Sequence, residues 1–187
     1  MKPLKIQEKL LLLRLKKKDP EAFSEIYNFY VTPVYRFIYF KVSSKQDAED
    51  ITSEVFLKIW QFVTESEDDI ENLRALLYRI ARNLVIDSYR RKATQNFTQD
   101  AEVLESVPDE RQQRLLEQAE SSIEMRSIEH VLRKMKDEYR ELIILRYVED
   151  LSISEIAEVL GKSKGSVRVQ LHRALKIARE LANEHGT

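Results

Sequence analysis

The sequence predicts an all-α protein built as two small helical domains joined by a flexible linker, and three observations carry that prediction. Only three Gly and four Pro punctuate 187 residues, too few for the many turns of a sheet protein. Apolar residues recur at three- and four-residue spacing in long stretches rich in Leu, Ile, Glu, Lys and Arg, as amphipathic helices require. That periodicity fails across residues 93–109, which are polar, acidic and contain Pro108, and it resumes afterwards. The expected division is 1–92 for the first domain, 93–120 for the acidic linker and 121–187 for the second domain.

In chain order, the first strong helix start is Asp19-Pro20-Glu21, a capping Asp followed by a Pro that suits the first helical position. A helix is expected to run to about Tyr30. Thr32-Pro33 repeats the same cap-then-Pro pattern and predicts a second, separate helix to about Val42, because an internal Pro breaks the hydrogen-bond ladder. A third helix is expected over 47–62. An acidic interruption, Glu65-Ser66-Glu67-Asp68-Asp69, precedes a fourth over 72–92.

Helical character returns from about Glu110 and continues through Ile128, Val131, Leu132 and Met135. A helix over 137–148 follows. Ser152-Ile153-Ser154-Glu155 then has capping-box spacing, Gly161 is placed to terminate that short helix, and Ser163 opens a last helix to about Asn183. Two helices joined by a tight Gly-containing turn have the form of a helix-turn-helix.

The net charge of -1 conceals strong blocks of each sign. Basic residues gather over 2–18, 79–92 and 162–179; acidic residues gather over 47–54, 65–71 and 100–124. No Cys is present and the three His lack metal-ligand spacing, so disulfides, zinc sites and cofactors are not expected, and a reducing, cytoplasmic setting fits. The Leu10–Leu13 run is cut by Arg14, and no other stretch approaches a membrane span, so no membrane insertion is expected. Neither a nucleophile-base pair, a Gly-rich phosphate loop nor an HExxH motif occurs, which argues against an enzyme.

At 100° per residue, Val167, Leu171, Ala174, Leu175 and Ala178 share one face of the last helix and are expected to pack on Ile153, Ile156, Ala157 and Leu160. The opposite face presents Val169, His172, Arg173 and Lys176, flanked by Ser166 and Arg168. A face free of acid over its first turns suits entry into the major groove beside phosphates. Arg168 and Arg173 fit guanine edges or phosphates, and Val169 fits a thymine methyl.

The helix over 72–92 splits similarly, with Leu73, Leu76, Leu77, Ile80 and Leu84 inward and Arg79, Arg82, Asn83, Ile86 and Arg90 outward. Arg90, Arg91 and Lys92 also complement the helix C-terminal dipole. In the helix over 47–62, Ala48, Ile51, Val55, Phe56 and Ile59 face inward. Its outward face, with Asp50, Glu54, Leu57 and Gln61, is acidic and therefore suits a protein partner rather than DNA.

Three stretches carry a family resemblance: Asp47-Ala48-Glu49-Asp50-Ile51, then Phe56-Leu57-Lys58-Ile59-Trp60, then Leu77-Tyr78-Arg79-Ile80-Ala81-Arg82-Asn83 with Asp87 and Arg90-Arg91. In that order they resemble region 2 of the extracytoplasmic-function sigma factors of bacterial RNA polymerase, a small branch of the sigma-70 family. Residues 141–147, 153–161 and 165–174 resemble sigma region 4. The chain leaves no room for regions 1.1 and 3 of housekeeping factors.

The resemblance implies partners and roles. Asp47, Asp50, Glu54, Leu57 and Gln61 would dock on the β′ clamp helices of core RNA polymerase, with region 4 meeting the β flap. Arg79, Arg82, Asn83, Ile86 and Arg90, with the loop over 63–71, would recognise and open the minus-10 element of promoter DNA by trapping a flipped base, at a cost of a few kcal/mol that needs no ATP. Lys164, Ser166, Arg168, Val169, His172, Arg173 and Lys176 would read the minus-35 element. An anti-sigma factor is a further implied partner.

The chain departs from the family pattern where many relatives carry Ser and Arg and it carries Val169 and Gln170; its loop over 63–71 is also unusually acidic. An alternative reading is a helix-turn-helix regulator with an N-terminal protein- or ligand-binding module. That alternative explains residues 152–183 equally well, but not a first module carrying its own basic helix beside an acidic one.

Overall fold

The computed structural model describes residues 5–42, 44–65, 70–95 and 130–185, and among these every regular element is helical. Four helices form the first module: α1 (Lys5–Lys16), α2 (Pro20–Tyr39), α3 (Lys45–Glu65) and α4 (Leu73–Gln95). The second holds a short helical turn at 130–134, α5 (Asp137–Ile143) running into a π turn (Ile144–Val148), α6 (Ile153–Leu160) and α7 (Lys164–His185). The expected acidic linker and the stripe beginning at Ile128 fall mostly outside the described residues.

The helix α1 was not anticipated from the sequence. Leu11, Leu12 and Leu15 are buried against α2 and α3, while Leu10 and Leu13 stay exposed. Leu11, Leu12 and Leu15 thus form the buried face of this helix, and the leucine run itself spans both faces. It ends with Lys18 in the left-handed region at φ 60°, where backbone amides of Lys17 and Lys18 donate to the carbonyls of Arg14 and Leu15. Asp19 joins the two helices: it accepts from the amides of Glu21 and Ala22 and from Arg14 Nε at 2.8 Å. The Arg14 hydrogen bond is the main reason the Asp19 carboxyl lies below its ordinary value.

The two helices expected on either side of Thr32 are one continuous rod, with Pro33 inside α2. An internal Pro costs about 3 kcal/mol or more. Val31, Val34, Tyr35, Phe37 and Ile38 are all buried around it, and each such side chain contributes about 1.5–3 kcal/mol by leaving water. Burial on both sides of Pro33 therefore outweighs the lost hydrogen bond. Aromatic edges complete the packing, with Phe23 against Trp60 at 5.1 Å and Tyr27 against Phe56 at 4.7 Å.

Two local signals hold in the second module as the sequence predicts. Ser152 and Glu155 form a reciprocal capping box, and Gly161 closes α6 at φ 63° and ψ 35°. Ser163 Oγ accepts the amide of Ser166 and so starts α7. Val167, Leu171 and Ala174 are buried, with Leu175 and Ala178 partly buried, so the inward face of α7 is the one read from the sequence.

A Cβ on Gly161 would meet no atom within 4 Å, so the cost of replacing it is conformational alone. Gly161→Ala is expected to destabilise the chain by about 1 kcal/mol, seen as a lower urea midpoint with an unchanged slope. A change below the error of the measurement would show that the turn relaxes.

Candidate nucleic-acid and polymerase interface

The helix α7 projects Arg168, Val169, His172, Arg173 and Lys176 into solvent, with Lys164 exposed and Ser166 half-buried beside them. Val169 is 53% exposed. Gln170 is occupied otherwise: its Oε1 accepts from Lys162 Nζ at 2.8 Å and its Nε2 donates to Ser166 Oγ at 3.3 Å. The pair that departs from the family pattern thus splits, with Val169 presented and Gln170 tied to the turn. The seven residues proposed from sequence for this face are brought together.

On α3, Asp50, Leu57 and Gln61 are exposed and Glu54 is half-buried; Leu57 stands 55% exposed among them. Asp47 differs. Its carboxylate accepts from Lys92 Nζ and from the Ser44 hydroxyl, and although burial opposes the charge, these bonds hold it below its ordinary value. Asp47 therefore ties α3 to the end of α4. Thr64 and Glu65 extend α3 as helix, so the expected loop begins later, and residues 66–69 within it lie outside the described residues.

The expectation for α4 requires correction. Asn83 and Arg90 are exposed, and Ile86 is half-buried. Arg82, expected to point into solvent, is instead half-buried against the second module, because α6 packs along α4; Arg79 is exposed as expected and also reaches that module. Arg82 Nε lies 3.2 Å from the Glu141 carboxylate, and Arg79 Nη2 lies 3.8 Å from Glu158. Glu158 also accepts from Asn72 Nδ2 at 3.4 Å. Asp87 pairs with Arg90 at 3.6 Å.

Two buried carboxylates organise this seam. Glu141, 6% exposed, accepts from Lys41 Nζ at 2.9 Å, and that lysine is itself 2% exposed and also reaches Asp137 at 3.3 Å. Glu149, 2% exposed, receives a bidentate Arg36 at 2.7 and 3.0 Å and the Tyr78 hydroxyl at 2.9 Å. Arg74 adds bonds to the backbone carbonyls of Glu149 and Asp150. The π turn after α5 and the left-handed Asp150 at φ 55° swing the chain so that Glu149 faces inward while Leu151 enters the core.

Burial, and then the adjacent Glu149 charge, push the Tyr78 phenol well above its usual value. Burial disfavours the Arg36 charge, yet the Glu149 hydrogen bond and charge hold its guanidinium above the ordinary range. Sequence reasoning did not single out Arg36, Lys41, Arg74, Glu141 or Glu149 as a group. The available signal was local: Lys41 closes an apolar run and Glu141 opens one.

Among the described residues no cluster of His, Asp or Glu has the arrangement of a metal site, and no helix is long and apolar enough to cross a membrane. The family model for sigma-70 region 2 matches residues 26–95, and that for sigma-70 region 4 matches residues 125–177. The ECF RNA polymerase sigma factor SigW of Bacillus subtilis (strain 168) is 32% identical over 174 residues, covering 89% of this chain and 92% of that protein. The chain belongs to the sigma-70 family, in its extracytoplasmic-function (ECF) group.

This sigma factor shares its fold with CnrH, solved with the cytosolic domain of CnrY, at a TM-score of 0.67 and 21% identity over 94% of this chain and 96% of that one. The sigma factor RpoE of Bartonella quintana, solved with the anti-sigma factor NepR, gives a TM-score of 0.66 and 21% identity over 87% and 98%. Membership makes the protein a promoter-directing factor for transcription initiation. The first module is then region 2 and the second region 4, and the seam lies between them.

A phenol whose folded value exceeds the unfolded one, about 10, contributes its stability in full below about pH 10, and loses it as pH rises through the folded value. Wild-type denaturation midpoints are therefore expected to fall more steeply above about pH 10 than those of Tyr78→Phe. Parallel pH profiles for the two proteins would contradict this placement of the Tyr78 proton.

Proposed function

We propose that this sigma factor, as a cytoplasmic non-enzymatic subunit, divides promoter recognition between its modules, 1–92 and 121–187, across the linker 93–120. Region 4 reads the minus-35 duplex with Lys164, Ser166, Arg168, Val169, His172, Arg173 and Lys176. Region 2 engages the minus-10 element with Arg79, Arg82, Asn83, Ile86 and Arg90, and docks on the β′ clamp helices of core polymerase through Asp47, Asp50, Glu54, Leu57 and Gln61. The β flap receives region 4, and an anti-sigma factor restrains the free protein. The observation that carries this reading is the exposed face of α7, basic and free of acid over its first turns on a doubly capped helix-turn-helix.

The chemistry follows from that geometry. Basic side chains on α7 replace condensed counterions on the phosphates, while Arg168 and Val169 meet base edges. Holding the duplex at both elements lets region 2 stabilise an unstacked base, a penalty of a few kcal/mol met by binding alone. RNA synthesis itself stays with the polymerase.

The test is run-off transcription with core polymerase and a promoter library. Arg168→Ala is expected to lower use of promoters that depend on minus-35 about tenfold, the scale of one base-edge contact, and Asn83→Ala to affect minus-10 mutants instead. Equal loss on all templates, or failure to bind core, would overturn the division of labour.

A further inference from the structure

The helix α1 lies outside the residues matched by the region 2 family model, which begin at 26, yet it turns a carboxylate toward the core. Glu8 stands three, four and seven residues before Leu11, Leu12 and Leu15, the buried leucines of α1, so it shares their inward face. A carboxylate on such a face needs partners. The Tyr30 hydroxyl of α2 hydrogen-bonds it, and so do the backbone amides of Leu73 and Arg74, the first two residues of α4. Burial raises the Glu8 carboxyl above its ordinary value, and those two amides with the Arg74 charge pull against the rise.

The start of α4 is thereby accounted for donor by donor. Asn72 Oδ1 accepts the amide of Ala75 at 3.1 Å, and the Asn72 carbonyl accepts that of Leu76 at 3.1 Å. Leu73 and Arg74 are left for Glu8. The first amides of a helix have no acceptor within it, and the helix dipole favours a negative group beside them. Asn72 also lines a cavity of about 220 Å³ with Phe62, Ile70, Leu76 and Arg79. Apolar walls with one guanidinium suit an unstacked base.

We propose that Glu8 is a positioning residue for minus-10 recognition: reaching from α1 to the first two amides of α4, it fixes the turn that sets Asn72 and Leu76 beside the cavity where region 2 holds an unstacked base. The proposal rests on the minus-10 reading above and adds to it a residue that touches no DNA. Leu73 and Arg74 directly follow Asn72 in the chain, so a shift of this turn shifts two walls of the cavity. A seat ordered in advance spends less binding energy on ordering itself.

The test titrates holoenzyme against two labelled single-stranded oligonucleotides. One carries the non-template minus-10 sequence selected in the run-off library, and the other carries that sequence scrambled. The ratio of the two Kd values does not depend on the fraction of folded protein, so lost stability alone leaves it unmoved. Glu8→Ala is expected to lower the discrimination about fivefold, the upper scale for a charge at an exposed helix N-terminus. Glu8→Gln keeps an oxygen acceptor at nearly the same size and is expected to retain most of it. Binding of a minus-35 duplex is expected to stay at the wild-type level in both variants, and circular dichroism checks their helicity.

Wild-type discrimination in Glu8→Ala would overturn the positioning role and leave the minus-10 reading standing. Equal weakening on both oligonucleotides and on the minus-35 duplex would show a general structural role and overturn the proposal as well. The minus-10 reading fails separately: wild-type holoenzyme that does not distinguish the two oligonucleotides would refute it, and the role of Glu8 with it.

Discussion

Two carboxylates taken out of water, Glu141 and Glu149, decide how the halves of this molecule meet. Each is nearly inaccessible and each is answered by cations from region 2, Lys41 with Arg82 for the first and Arg36 for the second, with Tyr78 completing the Glu149 site. Desolvating such charges costs about as much as their attraction returns, so the net stability gained is small, whereas separating one partner alone costs about 3–5 kcal/mol. The consequence is specificity. Two apolar faces alone would slide over one another, but paired buried charges permit only one register of α6 along α4.

The same pairing explains why Arg79 and Arg82 behave differently from the basic residues of α7. Both sets lie on helices whose inward faces are apolar, and both were expected to face water. On α7 the acidic contact is within the helix, Lys176 with Glu180 at 3.9 Å, and the basic side chains remain clear of the seam. On α4 the second module supplies carboxylates within reach, Glu141 for Arg82 and Glu158 for Arg79.

Local interactions hold each module together independently of the seam. Asp19 fastens α1 to α2, Ser44, Asp47 and Lys92 join the ends of α3 and α4, and the Ser152–Glu155 box with Gly161 fixes the helix-turn-helix.

The sequence by itself determined the helical class, the helix-turn-helix and its inward and outward faces, the acidic outward face of α3, and the family, because each rests on residues close along the chain. Capping, glycine termination and the 3.6-residue period are local and survive any tertiary arrangement. It misread Pro33 as a break and passed over α1, because in both places burial against distant helices overrides a local signal. Only the tertiary structure decided that Arg82 meets Glu141 and Arg36 meets Glu149, partners 59 and 113 residues apart. A charge carries no record in the sequence of which distant opposite charge it will face, since that depends on how folded helices bring their surfaces together.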